Sequence, residues 1–264
     1  MGVMNTMDFC TTSLLRPDIM ERTYSSFQKK LVGIDLKDCR LFLNIDCIPN
    51  ELSLWAWGEG ASWPHVPEDN IEVAHRFFGS VVTRIEKKDP SLHAAINWLW
   101  SQVESEYVFF LEDDWEFYRP VHIEKMLKKF QKKSLQQVRI RWEPDKHFKT
   151  RHLTYGLSPS MVRNKFCKYY VKRLKLERHC NPERFLNLPL PSKQKVTLYP
   201  SSGQTVGDIG SGWKVYNKLW MRVSVTTGEW IRKSTYTPKC KRQWSKLCKQ
   251  KIRHAPDVIF KDNT

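Results

Sequence analysis

Tyr107-Val-Phe-Phe-Leu-Glu-Asp-Asp-Trp115 decides how the rest of this chain is read. Five apolar or aromatic residues run without a break into three carboxylates. A short continuous apolar run of this kind is the pattern of a strand buried on both faces, as in a parallel α/β sheet. Open sheets of that class bind ligands outside the carboxyl ends of their strands. Glu112, Asp113 and Asp114 therefore fall at the ligand-binding edge, with no basic residue beside them in sequence. Hard carboxylate oxygens clustered there suit Mg²⁺ or Mn²⁺ bridging to a diphosphate. The plain alternative is an acidic turn that closes a buried strand.

Working outward, the residues before this strand alternate between strand and helix patterns. Asp8 to Leu15 reads as a first strand that ends in hydroxyls at Thr11, Thr12 and Ser13. Arg16-Pro17 starts a helix, with Met20, Tyr24, Phe27 and Leu31 at helical spacing and Gly33 as its stop. Leu41 to Asp46 reads as a second strand that ends at an acid. Glu51 to Asn70 reads as a long structured loop, and Val81-Val82 as a short strand. Asp89-Pro90 starts a helix with Asp89 as cap and Leu92, Ala95, Ile96 and Leu99 on one face. After Trp115 the spacing predicts a Lys-rich helix over 121–133 and a strand over 137–142. Leu157-Ser-Pro-Ser160 reads as a helix opening, and Asn181-Pro-Glu as the start of a short helix. The stretch 206–213 reads as a Gly-rich loop. The whole is the pattern of an α/β nucleotide-binding sheet.

Composition narrows the partners. Among 264 residues, 44 Lys and Arg against 28 Asp and Glu give a net charge of +16. The excess is clustered. Between Lys214 and Arg253 there are twelve basic residues and one acid, Glu229. A second basic stretch runs from Arg163 to Arg178. Such clustering points to a polyanion, either nucleic acid or an anionic membrane surface. In the first stretch the cations alternate with Trp213, Tyr216, Trp220, Trp230, Tyr236 and Trp244, a mixture suited to phosphates and stacked bases. Lys241, Arg242, Lys246 and Lys249 are its candidate nucleic-acid contacts. The seven cysteines follow no zinc spacing and read as reduced cytoplasmic thiols. No apolar run approaches the roughly 20 residues of a membrane span, and no leader pattern opens the chain.

The order of these elements resembles glycosyltransferases of the GT-A fold, over about residues 7–212. The resemblance implies an α/β fold: an open mixed sheet flanked by helices. Residues 1–118 would form its nucleotide-sugar half and 119–212 its acceptor half. Residues 213–264 would be a basic extension of helix and loop. It implies that Thr11, Thr12, Arg16 and Asp46 meet the nucleoside of a UDP-sugar. The acids after the later strand would form an Asp-x-Asp-type metal motif for Mn²⁺ or Mg²⁺. Asp114 is its favoured ligand, with Glu112 or Asp113 as the second contact; the first acid departs from the pattern by being Glu. His93 and His254 are weaker candidates for the metal.

Transfer also needs a carboxylate to take the proton of the acceptor hydroxyl. Glu183, at a helix start, is the favoured base, and Asp208, in Gly207-Asp-Ile-Gly210, is the alternative. Within the fold group, Thr12-Ser-Leu-Leu-Arg-Pro-Asp18, Glu21-Arg-Thr-Tyr-Ser-Ser-Phe27, Leu111-Glu-Asp-Asp-Trp115 and Leu157-Ser-Pro-Ser160 are similar to phage DNA-base glycosyltransferases encoded beside TET/JBP-type dioxygenases. The acceptor implied is a 5-hydroxymethylpyrimidine in DNA. Two other readings compete. One is a transferase acting on a surface polysaccharide or lipid-linked glycan. The other is a nucleic-acid-binding protein without catalysis.

Overall fold

The computed structural model describes residues 7–47, 65–87, 91–140, 155–174, 195–200, 204–209, 220–222 and 230–232. The chain forms two compact units, one of residues 1–48 and 64–208, the other of residues 49–63 and 209–264. In the first unit a strand β1 (Asp8–Leu14) leads into helix α1 (Pro17–Lys30) and a two-residue strand β2 (Leu31–Val32). Then come β3 (Arg40–Asp46), α2 (Pro67–Phe77), β4 (Ser80–Glu86), α3 (Leu92–Gln102) and β5 (Tyr107–Phe110). The chain continues through β6 (Trp115–Phe117), β7 (Val121–His122), α4 (Ile123–Lys129), β8 (Leu135–Arg139), β9 (Ser160–Arg163), α5 (Asn164–Leu174), β10 (Lys195–Leu198) and β11 (Val206–Asp208).

Seven strands form one sheet in the order β10-β8-β9-β5-β1-β3-β4. All neighbours are parallel except β9, which runs antiparallel to both β5 and β8. This is the α/β architecture, a mixed sheet flanked by helices, that the sequence leads one to expect. From β1 the chain moves outward to β3 and β4, then returns through α3 to place β5 on the other side of β1. The strand order therefore reverses between β1 and β5, and a crevice opens at their carboxyl ends.

Residue alternation shows why the central strands read as continuously apolar. On one face Phe9 stacks on Phe109 at 5.4 Å, and Phe27 of α1 meets Phe109 at 4.9 Å and Phe117 at 4.7 Å between ring centroids. On the other face Cys10, Val108 and Phe110 pack with Ile96, Leu99 and Trp100 of α3 and with Phe166 and Tyr170 of α5. Both faces of β1 and β5 are thus covered, as a parallel sheet requires. Helix α1 follows from its sequence: Pro17 at its start, Asp18 in the first turn, Lys29 and Lys30 in the last, and Met20, Thr23, Tyr24 and Phe27 buried on one stripe.

Several elements differ from their sequence-based expectation. α1 ends at Lys30, because Leu31 and Val32 pair with Val121 and His122; Gly33, with φ of +96°, turns the chain after that pairing. Part of the expected loop 51–70 is the start of α2, which opens with Pro67, Glu68 and Asp69. Strand β4 is seven residues, set by its pairing with all of β3. Ser91, not Asp89, caps α3, accepting from the Ala94 amide at 3.4 Å; residues 88–90 lie outside the described residues. Ser160 opens a strand, not a helix: Met161 and Val162 are buried between β5 and β8, and the helix begins only at Asn164. Within 206–213, Val206–Asp208 is a strand. In the second unit, expected to be helix and loop, β12 (Trp220–Arg222) and β13 (Trp230–Arg232) pair as an antiparallel ribbon. The expected helix at Asn181 lies outside the described residues.

Phe109, fully buried, touches the rings of Phe9 and Phe27 on the α1 face. Phe109→Ala should lower unfolding stability by about 3–5 kcal/mol. Urea denaturation checks this; a loss below about 1 kcal/mol would mean that this face is not core.

Candidate active site

The carboxyl ends of β1 and β5 are joined beyond their last ladder residues. The Leu111 amide donates to the Cys10 carbonyl at 2.9 Å and the Asp113 amide to the Thr12 carbonyl at 3.2 Å. This extended pairing sets Asp113 beside the hydroxyl turn of β1. Its Oδ2 accepts from the Ser13 hydroxyl at 2.6 Å, the Leu14 amide at 3.1 Å and Arg16 Nε at 3.0 Å. Its Oδ1 accepts from the Arg16 guanidinium. The same Arg16 nitrogen, Nη2, reaches Asp114 Oδ2 at 2.8 Å. Thr23 of α1 donates to the Asp113 carbonyl at 2.7 Å, and Asn70 of α2 donates to Ser13 Oγ at 2.8 Å. The turn after β1, helix α1 and helix α2 thus converge around Asp113, the last of them through Ser13.

Arg16 and Asp113 are 3% and 1% exposed, so this pair faces protein and not solvent. Burial pushes the Asp113 carboxyl up, while Arg16 and Ser13 pull it down. Burial would lower Arg16, yet Asp113 and Asp114 outweigh it and raise the guanidinium. The two directions pull against each other over one interaction. Every hydrogen bond that Asp113 receives favours the carboxylate, and we read the pair as ionised. Sequence places Arg16 and Asp113 at the donor; the fold bonds them to each other. Through Arg16 the turn after β1 is tied to both Asp113 and Asp114.

Asp114 is 8% exposed and Glu112 half-buried, with Glu112 Oε2 accepting from Trp115 Nε1 at 3.0 Å. Among the described residues no group of three or more His, Cys, Asp or Glu side chains is arranged to hold a metal ion. A Mg²⁺ or Mn²⁺ ion on a diphosphate needs less, since one or two carboxylates complete its shell with phosphate oxygens and water. Glu112 and Asp114 carry the hard carboxylate oxygens such an ion takes, one on each already accepting a hydrogen bond, from Trp115 and Arg16 respectively. His93 is buried at the start of α3, and His254 lies outside the described residues.

Asp46 ends β3, level with Leu14 of β1 and Glu86 of β4. It accepts from Asn44 Nδ2 at 2.9 Å, and Asn44 in turn accepts from Arg84 at 2.6 Å. Burial pushes its carboxyl up to about 6, against Asn44 and Arg84, with Glu86 and Asp113 adding to the rise. Because this folded value lies above the ordinary one near 3.8, the stability contribution of Asp46 is complete below that value and is lost as pH rises through about 6. Thr11 is buried on β1 and Thr12 half-buried beside it.

Sequence reasoning missed what β11 does. It pairs antiparallel with β6, setting Asp208 opposite Trp115, Gly207 opposite Glu116 and Val206 opposite Phe117. An exposed acid 94 to 96 positions away is thereby paired with the residue that follows the acidic motif. Gly207 is required there: a Cβ would lie 2.4 Å from Tyr118 Oη. Glu183, Lys241, Arg242, Lys246 and Lys249 lie outside the described residues. A cavity of about 770 Å³, lined by Met7, Arg40, Ser80, Glu104 and Tyr107 among others, sits at the amino-terminal edge of the sheet. The acids that could do chemistry are at the opposite edge, where strand order reverses.

No family model matches the chain, and no curated protein matches it. Solved structures that it resembles include 4-diphosphocytidyl-2C-methyl-D-erythritol synthase from Anaerococcus prevotii, at 12% identity and a TM-score of 0.48, over 81% of this chain and 95% of that one. S. aureus TarS, residues 1–349, shows 12% identity and a TM-score of 0.48 over 80% and 63% of the two chains. A mannosyltransferase from Pyrobaculum calidifontis, in complex with GDP-Man and Mn²⁺, shows 8% identity and a TM-score of 0.45 over 62% and 46%. These likenesses say nothing of activity.

Arg16→Met removes the counter-ion of a buried carboxylate and should destabilise the protein by about 3–5 kcal/mol. Asp113→Asn in the same background should recover part of that loss. A double-mutant cycle in urea checks it, and strict additivity of the two substitutions would dissolve the proposed coupling.

Proposed function

We propose that the chain is a metal-dependent glycosyltransferase that moves a sugar from a nucleotide sugar, a UDP-sugar in our reading, onto a 5-hydroxymethylpyrimidine in DNA. The observation that supports the proposal is the β6–β11 ribbon, which pairs Asp208 with Trp115, the residue that follows Glu112-Asp113-Asp114, near the strand-order reversal. An acid for the proton and acids for a diphosphate-bound cation then share one edge. In this reading Thr11, Thr12 and Asp46 meet the nucleoside, with Asp46 accepting from a base N–H.

A bound divalent cation, held by Glu112 and Asp114, would supply the positive charge that a departing diphosphate requires. Asp208 takes the proton of the acceptor hydroxymethyl group. The new bond joins that oxygen to the anomeric carbon, and the bond from that carbon to the diphosphate oxygen breaks. The nucleoside diphosphate leaves with the electron pair. Arg16, buried behind the acids, keeps Asp114 in place and touches neither substrate. Glu183 remains the alternative base on the strength of its sequence position at a helix start.

The positive balance of the chain supports a polyanionic acceptor, with Lys241, Arg242, Lys246 and Lys249 as further contacts to phosphates. No helix among the described residues is long and apolar enough to cross a membrane. We place the reaction in the cytoplasm, where nucleotide sugars and DNA meet.

Hydroxymethylated DNA incubated with a panel of nucleotide sugars and Mn²⁺, then digested to nucleosides for mass spectrometry, should show a hexose or pentose adduct. Asp114→Ala should reduce that transfer by about 10²-fold or more; wild-type rates in this variant would remove the cation site. Asp208→Asn should lower turnover by about 10²-fold or more while nucleotide-sugar affinity holds. If Glu183→Gln does this and Asp208→Asn does not, the base is Glu183. Donor binding should strengthen as pH rises through about 6, where Asp46 ionises. Calorimetry on Asp46→Asn should show this dependence flattened, and its survival would take Asp46 out of the nucleoside site.

A further inference from the structure

The segment that leaves the site carries a second constellation. β6 runs into Tyr118 and Arg119, and β7 then pairs with β2, Leu31 beside Val121 and Val32 beside His122. That register draws the last turn of α1, with Lys29 and Lys30, alongside Arg119 and Pro120. Helix α4 begins at once, and Lys125 is exposed on its first turn. Four cations from three separate elements are therefore gathered next to the exposed end of the β6–β11 ribbon. Two acids along this strip are engaged. Glu116 accepts from Arg22 at 3.0 and 2.8 Å, and Glu124 from Lys128 at 2.7 Å.

Tyr118 stands at the site end of the strip. It is 46% exposed, which is unusual for a ring this large beside a buried ribbon. Its phenol lies against Gly207 and bonds to Glu116, and its amide donates to the Thr205 carbonyl at 2.9 Å. The half-exposed ring is thus held in one orientation next to the residue that precedes Asp208.

We propose that this strip is where the acceptor strand docks: Tyr118 stacks on a nucleobase beside the target, and Lys29, Lys30, Arg119 and Lys125 take the adjoining phosphates. The proposal rests on the DNA reading above and adds a surface to it. A fixed aromatic ring in line with cations is the chemistry that holds single-stranded nucleic acid. A lipid surface would call for an apolar helix face, whereas Ile123 and Met126 of α4 are buried in the core and Leu127 is half-buried.

The test uses the full chain and a fluorescein-labelled single-stranded oligonucleotide containing 5-hydroxymethylcytosine, with binding read by anisotropy across a salt series. Lys29→Gln, Lys30→Gln and Arg119→Gln together should lower the slope of log affinity against log salt by about two to three. Tyr118→Leu should weaken binding by about tenfold, and Tyr118→Phe should restore it. Three Gln substitutions at Lys37, Lys132 and Lys133 remove the same charge from the amino-terminal edge of the sheet, ahead of β3 and β8. They should leave at least two-thirds of the slope change unmatched. Equal losses in both triple variants would mean that only net charge matters, and the strip would be abandoned. Wild-type protein that ignores the oligonucleotide but binds vesicles of anionic lipid or an acidic polysaccharide would overturn the DNA acceptor itself. UDP-sugar binding, measured separately on the wild type, reports on the donor site and tells those failures apart. Melting temperatures of the variants exclude misfolding as the cause.

Discussion

One buried guanidinium holds the candidate site together. Arg16 leaves the turn after β1, enters the protein and bonds to both Asp113 and Asp114 at the end of β5. Two carboxylates in a row could not both stay ionised in so dry a place without a cation between them. The ion pair does geometric work as well. It locks the turn after β1 to the turn after β5 across nearly a hundred residues of chain. Ser13, Thr23 and Asn70 add hydrogen bonds from β1, α1 and α2 to the same cluster. The reversal of strand order opens a crevice here, and this network gives it a rigid floor.

What stands around that floor differs in character. Asp113 faces inward and is consumed by structure. Glu112 and Asp114 lie on either side of it with more access to solvent, and Asp208 arrives from β11 fully at the surface. Asp46 sits a strand away with its carboxyl raised to about 6 by burial. A gradient from buried to exposed acids across one sheet edge can separate roles: one acid for structure, others for a cation, one for a proton. At the amino-terminal end of the same sheet, Asp8 shows the contrast. Burial would raise it, but Arg40 and the Ser105 and Glu104 amides bond its carboxylate and hold it below the ordinary value. That acid is a fastener between β1, β3 and the turn before β5.

Much of this was legible in the chain. The apolar run before Glu112 announced a strand covered on both sides, and Phe109 on one face with Val108 and Phe110 on the other is that pattern realised. Pro17 with Met20, Tyr24 and Phe27 announced α1. Strand endings at Ser13, Asp46 and Asp114 placed three candidate groups at one edge. Illegible were elements whose type depends on a neighbour. Ser160–Arg163 carries good helix punctuation before it, yet two flanking strands make it a ladder member. Val206–Asp208 looks like loop because its glycine serves contact with Tyr118, not flexibility.

By itself, then, the order of residues determined which segments are strands and helices in the first half, which residues are apolar enough to be interior, and which acids end strands. Those properties are local: periodicity, punctuation and hydrophobicity are written within a dozen residues. Only the tertiary structure decided that Arg16 turns inward to Asp113 and Asp114, that β9 runs antiparallel, and that Asp208 stands opposite Trp115. Each of those outcomes is a long-range pairing. Its energy comes from burying charge beside opposite charge, or one strand beside another, and no local stretch of sequence holds both partners.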